Sequence, residues 1–261
     1  MEGEDGTTVN LSPAQRTLHC WWLEYIDAVK RAARGGGKII SILNGDLAEG
    51  DTKDRTWQIV TRNPTTILSN MLKTFSPLID IASKIFVVRG TLAHAGKSNN
   101  LECLFADDIS AEVKDGQRVH WNLYGDFGGV VIDVAHFSRG GTLRGNNPMI
   151  KLAENLIVSY AGRGERIPEL AFRSHRHQYR DSRDDVPGCR AIALPAWTWK
   201  TEFAAANTPE CLADIGGAIV TIENGKANVS IKRFELARRI PREIKFDDEK
   251  NSEFAYSRSG D

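Results

Sequence analysis

The chain has 261 residues, 41% of them hydrophobic and 26% charged, and its 34 basic and 34 acidic side chains leave a formal net charge of zero. This is the composition of a globular chain long enough to bury a core, and the balanced charge argues against a general polyanion-binding protein. No apolar run approaches the ~18 residues that a membrane span needs. The four cysteines, Cys20, Cys103, Cys189 and Cys211, form no C-x-x-C pair and read as reduced, buried small hydrophobes of a cytoplasmic protein.

Residues 1–11 are polar and read as a loose N-terminus, 12–245 as one domain, and 246–261 as a polar C-terminal tail. Ser12-Pro13-Ala14-Gln15 predicts a helix start, with an N-cap Ser, Pro at the first helical position and Gln placed to close a capping box. Leu18, Trp21, Trp22, Tyr25, Ile26 and Val29 then recur at helical spacing, and Gly35-Gly36-Gly37 ends the helix. Residues 38–47 are an apolar, β-leaning run that breaks at Asn44-Gly45-Asp46. Residues 64–75 and 77–83 read as two helical pieces, 84–89 as a strand, 90–100 as a loop and 101–113 as a helix. Residues 117–124 read as one strand, Gly128-Gly129 as a turn and 129–135 as the next strand. A Gly- and Arg-bearing loop over 138–148 precedes an amphipathic helix over 149–160. Residues 170–174 and 190–194 read as short strands, and Asn224-Gly225 between 218–222 and 227–231 is a strong hairpin signal. Early strands alternate with helices, which predicts a parallel sheet, and the strand-rich end predicts antiparallel pairing. The fold class is therefore α/β, a mixed two-sheet sandwich flanked by helices.

Several of these apolar runs end in a residue with chemistry. Asp46 lies just past the first, Thr91 past the second, His136 past 129–135, and His175 and His177 past 170–174. Residues two apart on a strand share a face, so the His-x-His pair is expected to point one way. One carboxylate with three imidazoles suits Mn, Fe or Zn better than Mg or Ca. A bridging carboxylate can hold two such ions about 3.5–4 Å apart, where they bind a phosphate ester and activate water.

These residues, in this order, resemble the motifs of the calcineurin-like metallophosphoesterases: Gly45-Asp46 with Glu49, Gly90-Thr91, Ala135-His136, and Ser174-His175-Arg176-His177. Gly90-Thr91-Leu92-Ala93-His94-Ala95-Gly96 and Pro195-Ala196-Trp197 look most like the phage and prophage branch. The resemblance covers about residues 38–200 and implies a two-sheet sandwich and a two-metal phosphoester hydrolase. It assigns Asp46 as the bridging carboxylate, His136 and His175 to the second metal and His177 to the first. Thr91 stands where the family places an Asn ligand. His94 lies two residues late for the catalytic His and is assigned as general acid. Asn44 and Glu49 support the ligands from behind, and Arg139 and Arg176 are assigned to the substrate. The family's opening strand, which ends in D-x-H, has no counterpart before residue 38. The chain reads as starting one strand late, through a truncated reading frame, a segment supplied from elsewhere, or loss of that half-site. The expectation is two ions for the family and one tightly held ion here. The substrate is expected to be a phosphodiester, with nucleic acid as the preferred class. The rival is a weakly active or non-catalytic binding protein on the same fold.

Overall fold

A computed structural model describes residues 1, 3, 7–50, 59–95, 100–137, 147–200 and 212–235. The first element is helix α1 (Pro13–Ala32). Gln15 N–H donates to Ser12 Oγ at 3.2 Å and Ser12 N–H donates to Gln15 Oε1 at 2.9 Å, so the capping box forms as the sequence indicates. Such a cap is worth about 1 kcal/mol. Strand β1 (Ile40–Asn44) follows. It pairs in parallel with β2 (Lys84–Val88), which pairs in parallel with β3 (Val119–His120).

A second sheet holds β4 (Leu123–Phe127), β5 (Val130–Ala135), β6 (Leu170–Arg173), β7 (Arg180–Asp181) and β8 (Arg190–Ala193), in the order β4-β5-β6-β8-β7. Its three inner strands are parallel, and β4 and β7 are antiparallel edges. A hairpin of β9 (Ile215–Glu223) and β10 (Lys226–Phe234) completes the strands. Asn224 and Gly225, both at positive φ (52° and 71°), make its two-residue turn. Further helices are α2 (Pro64–Ile79), α3 (Leu92–Ala95), α4 (Asn100–Asp108) and α5 (Pro148–Gly162).

Three apolar clusters define the layers. Trp22 and Ile26 of α1, Ile67 and Met71 of α2 and Phe105 of α4 pack on Leu43, Ile85 and Val87 from one face of the first sheet. Val88, with Ile42 and Phe86, meets Val130, Ile132, Leu170, Phe172 and Ile192 of the second sheet. Met149 and Ala153 of α5 pack on Ala171, Ala191 and Ala193 from the far side. Two sheets therefore face each other with helices outside both. This is the mixed two-sheet sandwich the sequence predicts, and it brings the carboxyl ends of β1, β2, β5 and β6 to one rim.

The structure corrects several element readings. One helix, α2, runs through Pro77 where two pieces are expected. Proline removes one N–H donor, and Ser76 Oγ supplies one instead, to Lys73 O at 3.1 Å. The 117–124 segment is two strands in different sheets, because β3 completes the first sheet and β4 edges the second. The 90–100 loop contains the single turn of α3. Cys20 is exposed, while Cys103 is half-buried and Cys189 buried. The expected tail over 246–261 and the loop over 138–146 lie outside the described residues.

Candidate metal centre

Three sequence-predicted residues converge at this rim. Each of Asp46, His136 and His175 offers one ligand atom within 4.8 Å of the others'. Asp46 follows β1 at φ +54°, and the tight turn before it depends on Gly45 (φ +72°), where a Cβ would lie 2.6 Å from both Gly90 Cα and His136 Nδ1. His136 is buried just past β5. Its Nδ1 lies 2.6 Å from Asn44 O, an arrangement that makes Nδ1 the protonated nitrogen and leaves the Nε2 lone pair turned to the site. His136 Nε2 lies 2.8 Å and His175 Nδ1 3.8 Å from Asp46 Oδ2. All three atoms are buried, and none has a hydrogen bond aligned well enough to satisfy it. A proton or a metal ion shared among these atoms would satisfy them.

The local backbone is strained for the same residues. Asp46, His175 (φ 71°) and His177 (φ 54°) are three of the non-glycine residues held at positive φ, a conformation that costs about 1–3 kcal/mol each and persists where the surroundings impose it. This also corrects the geometry expected for the His pair. Strand β6 ends at Arg173, so His175 and His177 lie on a turn and share no strand face. His175 joins the cluster. His177 stays outside its 4.8 Å radius, although it feels the charge of Asp46 and of the three nearby imidazoles.

Charge is tuned accordingly. Burial pushes the Asp46 carboxyl up, but the neighbouring His136 and His175 imidazoles outweigh it and hold the group well below the ordinary carboxylate range. Burial pushes His136 down, and its bond to Asp46 reverses that and raises it. Burial lowers His177.

The other predicted residues surround this centre. Thr91 donates to Asp46 Oδ1 through both its N–H (2.6 Å) and its hydroxyl (3.0 Å), so it fixes one carboxylate oxygen and leaves Oδ2 to the imidazoles. Asn44 donates to Ser174 Oγ at 2.9 Å and ties the turn after β6 to β1. His94 Nδ1 and Glu49 Oε2 are 2.7 Å apart, and His94 Nε2 is 4.0 Å from Asp46 Oδ2. Gly50 N–H donates to His94 O at 2.7 Å and holds the two loops together. Arg176 is exposed between the two histidines, and Arg139 lies outside the described residues. Arg173, Arg176, Arg180, Arg183 and Arg190 cluster in sequence around the His pair, a pattern that suits a phosphate clamp and more commonly a salt-bridged surface; Arg173 and Arg190 are committed to ion pairs with Asp133 (2.6 Å) and Asp181 (2.7 Å).

Sequence reasoning missed Glu102. It is a buried acid of α4, and its Oε2 accepts the Gly90 N–H at 2.9 Å. It also accepts the backbone N–H of Leu47, and burial raises its pKa. It thus ties the loop after β1 to the loop after β2 directly behind Asp46. The available signal was an acid placed between Leu101 and Phe105 on an apolar helical stripe. Phe137 was also missed. It is 56% exposed, and its ring centroid lies 5.0 Å from that of His175.

No family model matches the chain and no curated protein matches it. Solved structures do match. One is Vps29 from Entamoeba histolytica, as a single mutant, at 12% identity and TM-score 0.36, over 80% of this chain and 89% of that one. A Thermotoga maritima protein solved by NMR in solution matches at 11% and 0.39, over 76% and 99%. A novel archaeal phosphodiesterase matches at 10% and 0.36, over 74% and 99%. Likeness at these TM-scores carries no weight for function, which rests on the residues of the site.

Proposed function

We propose that this chain is a metal-dependent phosphoester hydrolase of the calcineurin-like type, acting in the cytoplasm on a phosphodiester. The observation that carries this reading is the convergence of Asp46 Oδ2, His136 Nε2 and His175 Nδ1, buried and unsatisfied, at the carboxyl ends of three strands. The donors fit a transition metal such as Mn, Fe or Zn, with imidazole nitrogen and carboxylate oxygen together. Asp46, His136 and His175 would hold the ion, and His177 and Thr91 stand close enough in the chain to join a fuller set. The bound ion supplies Lewis acidity to a phosphoryl oxygen and lowers the pKa of water.

The chain's own residues supply the rest. His94 is oriented by Glu49 through Nδ1 and presents Nε2 toward the site, where it holds the proton that a leaving oxygen needs. Arg176, exposed between the two histidines, is placed to meet an anionic substrate. Phe137 offers an exposed aromatic face beside His175, which suits stacking of a nucleobase and favours nucleic-acid phosphodiesters. The phage-type branch rests on the residues at 90–96 and on Pro195-Ala196-Trp197.

A second reading has one observation in its favour. Among the described residues three protein ligands converge, with His177 outside them, a set suited to a binding protein or a weakly active relative. Metal analysis of the purified protein, with rates on bis-p-nitrophenyl phosphate at added Mn, Fe and Zn, separates the two. About one equivalent of metal with metal-dependent turnover supports the hydrolase. Metal without turnover supports the binding protein, and no metal under any condition removes both.

A further inference from the structure

The rim that holds the metal centre carries one more pair of side chains, and the centre does not use them. Arg89 follows β2 and stands immediately before Gly90, the glycine packed against Asp46. Trp121 follows β3 and is 68% exposed. Arg89 N–H donates to His120 O at 2.8 Å and so ties the two strand ends together. The Arg89 guanidinium lies over the Trp121 ring, 5.1 Å from its centroid. One face of the ring is backed by a cation, and the exposure belongs to the rest of it.

Sheet register relates this pair to the metal centre. Leu123 of β4 pairs with Val134 of β5. Trp121 precedes Leu123 by two positions and His136 follows Val134 by two, so the antiparallel register carries both to the same rim. Neighbouring strands lie about 4.8 Å apart, which sets Trp121 within roughly 10 Å of the centre. Charge points the same way. Arg89 Nη2 donates only to the weak acceptor Cys103 Sγ at 3.6 Å, and its buried Nε makes no hydrogen bond. Among the described residues no carboxylate pairs with it. Arg118, which shares a small pocket with Arg89, is by contrast held by Asp107 at 3.3 Å. A half-buried guanidinium without a counter-charge is costly until an anion meets it.

We infer that Arg89 and Trp121 form a subsite for single-stranded nucleic acid. A base stacks on the open face of Trp121, and Arg89 backs the ring and draws the phosphate backbone toward the rim. Phe137 offers a second exposed ring beside His175, on the β6 side of His136, while Trp121 lies on its β4 side. A strand crossing the centre therefore meets an aromatic face on either side of it. Bases paired and stacked in a duplex have no open face to offer, so the single strand is the class that fits. The inference rests on the hydrolase reading above for the fate of the strand and names its substrate class.

The test measures binding to the whole chain with a chelator present. The probe is a labelled oligothymidylate of about ten nucleotides, read by anisotropy and by quenching of tryptophan fluorescence. An oligouridylate of the same length, a duplex and inorganic polyphosphate are the comparison ligands. Both single strands are expected to bind more tightly than the duplex or the polyphosphate. Trp121→Ala is expected to weaken binding by about tenfold or more, and Trp121→Phe to keep most of it. Arg89→Gln is expected to weaken binding and to reduce the salt slope by about one. Tm is recorded for every variant. Should Trp121→Ala fail to fold, Trp121→Leu, which keeps apolar bulk without a ring, is expected to lose binding in its place. Three results would overturn the inference: no binding of either single strand, ring-free Trp121 variants that bind like the parent, or equal affinity for duplex or polyphosphate. Binding is read without turnover, so the two readings fail separately. A chain that binds the strand and hydrolyses nothing sinks the hydrolase and keeps the subsite. A chain that hydrolyses bis-p-nitrophenyl phosphate and binds no strand sinks the subsite alone.

Discussion

Asp46 Oδ2 lies 2.8 Å from His136 Nε2, while the other ring nitrogen of His136 is taken by the carbonyl of Asn44 at 2.6 Å. A lone pair facing a carboxylate at that distance is stable only with a cation between or upon them, either a proton on Nε2 or a metal ion. The two compete. Without metal, His136 in the folded chain titrates above its ordinary 6.5. A raised folded pKa means that the Asp46–His136 attraction stabilises fully below 6.5 and is lost as pH rises through the folded value. Metal affinity should follow the opposite course and rise over that window as the proton leaves. Titration calorimetry with Zn or Mn at several pH values, beside metal-free unfolding curves, checks both signs. An affinity that does not depend on pH between 6 and 8 would remove His136 from the ligand set.

His175 and His177 should separate on mutation. His175→Ala removes one of three converging ligands and should lose most bound metal, with little loss of fold because the side chain is more than a third exposed. It should even relieve some backbone strain if Gly is used instead, since φ is +71°. His177→Ala should retain the metal more nearly and act mainly on rate or on a second, weaker ion. Equal metal loss in both variants, read by mass spectrometry of the native protein, would put His177 in the set after all.

How much of this was readable beforehand follows from local chemistry. The helix start at Ser12 and the Asn224-Gly225 turn were legible because cap and turn residues act within a few positions. Asp46 and His136 were legible because a polar residue ending an apolar run is visible in one dimension. The His175–His177 geometry was not, because positive φ at both residues is imposed by the surroundings and carries no sequence mark. The partner of Arg173 was not legible for a related reason. Its partner, Asp133, is 40 positions away on the neighbouring strand, and only the β5–β6 pairing brings them together. Glu102 belongs to the same class, an acid whose role is set by two distant loops.

Arg173 supplies a control on the phosphate-clamp idea. Its guanidinium is buried with Asp133, which is 1% exposed and also accepts from Tyr160 at 2.6 Å and Asn122 at 2.9 Å. Arg173→Ala leaves a buried carboxylate without its counter-charge and should cost roughly 3–5 kcal/mol. Arg176→Ala, at an exposed position, should leave stability within about 0.5 kcal/mol and raise KM for an anionic substrate. Denaturant unfolding and steady-state kinetics on both variants test the division. A stable Arg173 variant with impaired substrate binding would restore it as a clamp.

Gly90 is the position where packing and chemistry meet most closely. It opens the loop after β2 and lies against the Gly45-Asp46 turn. Its N–H donates to Glu102. A Cβ at Gly90 would collide with the backbone nitrogen of Asp46 and with Asp46 Oδ1, and would come within 2.8 Å of Glu102 Oε1. None of these atoms can move away freely. The Asp46 backbone is fixed by the positive φ of Gly45 and Asp46, Oδ1 by Thr91, and Glu102 by burial. Gly90→Ala should therefore displace the carboxylate itself, costing about 1–3 kcal/mol as overpacking does and weakening metal binding by more than its effect on stability suggests. Glu102→Gln is the companion variant. It keeps the size and one acceptor oxygen while removing the buried charge, so it should preserve the fold. If Glu102 acts by accepting the Gly90 and Leu47 N–H groups, the amide retains most metal affinity, and Glu102→Ala, which accepts nothing, loses it. Metal affinity and Tm measured on all three variants decide the point. Unchanged affinity in both Gly90→Ala and Glu102→Ala would show that Asp46 is held by its own turn and needs no support from behind.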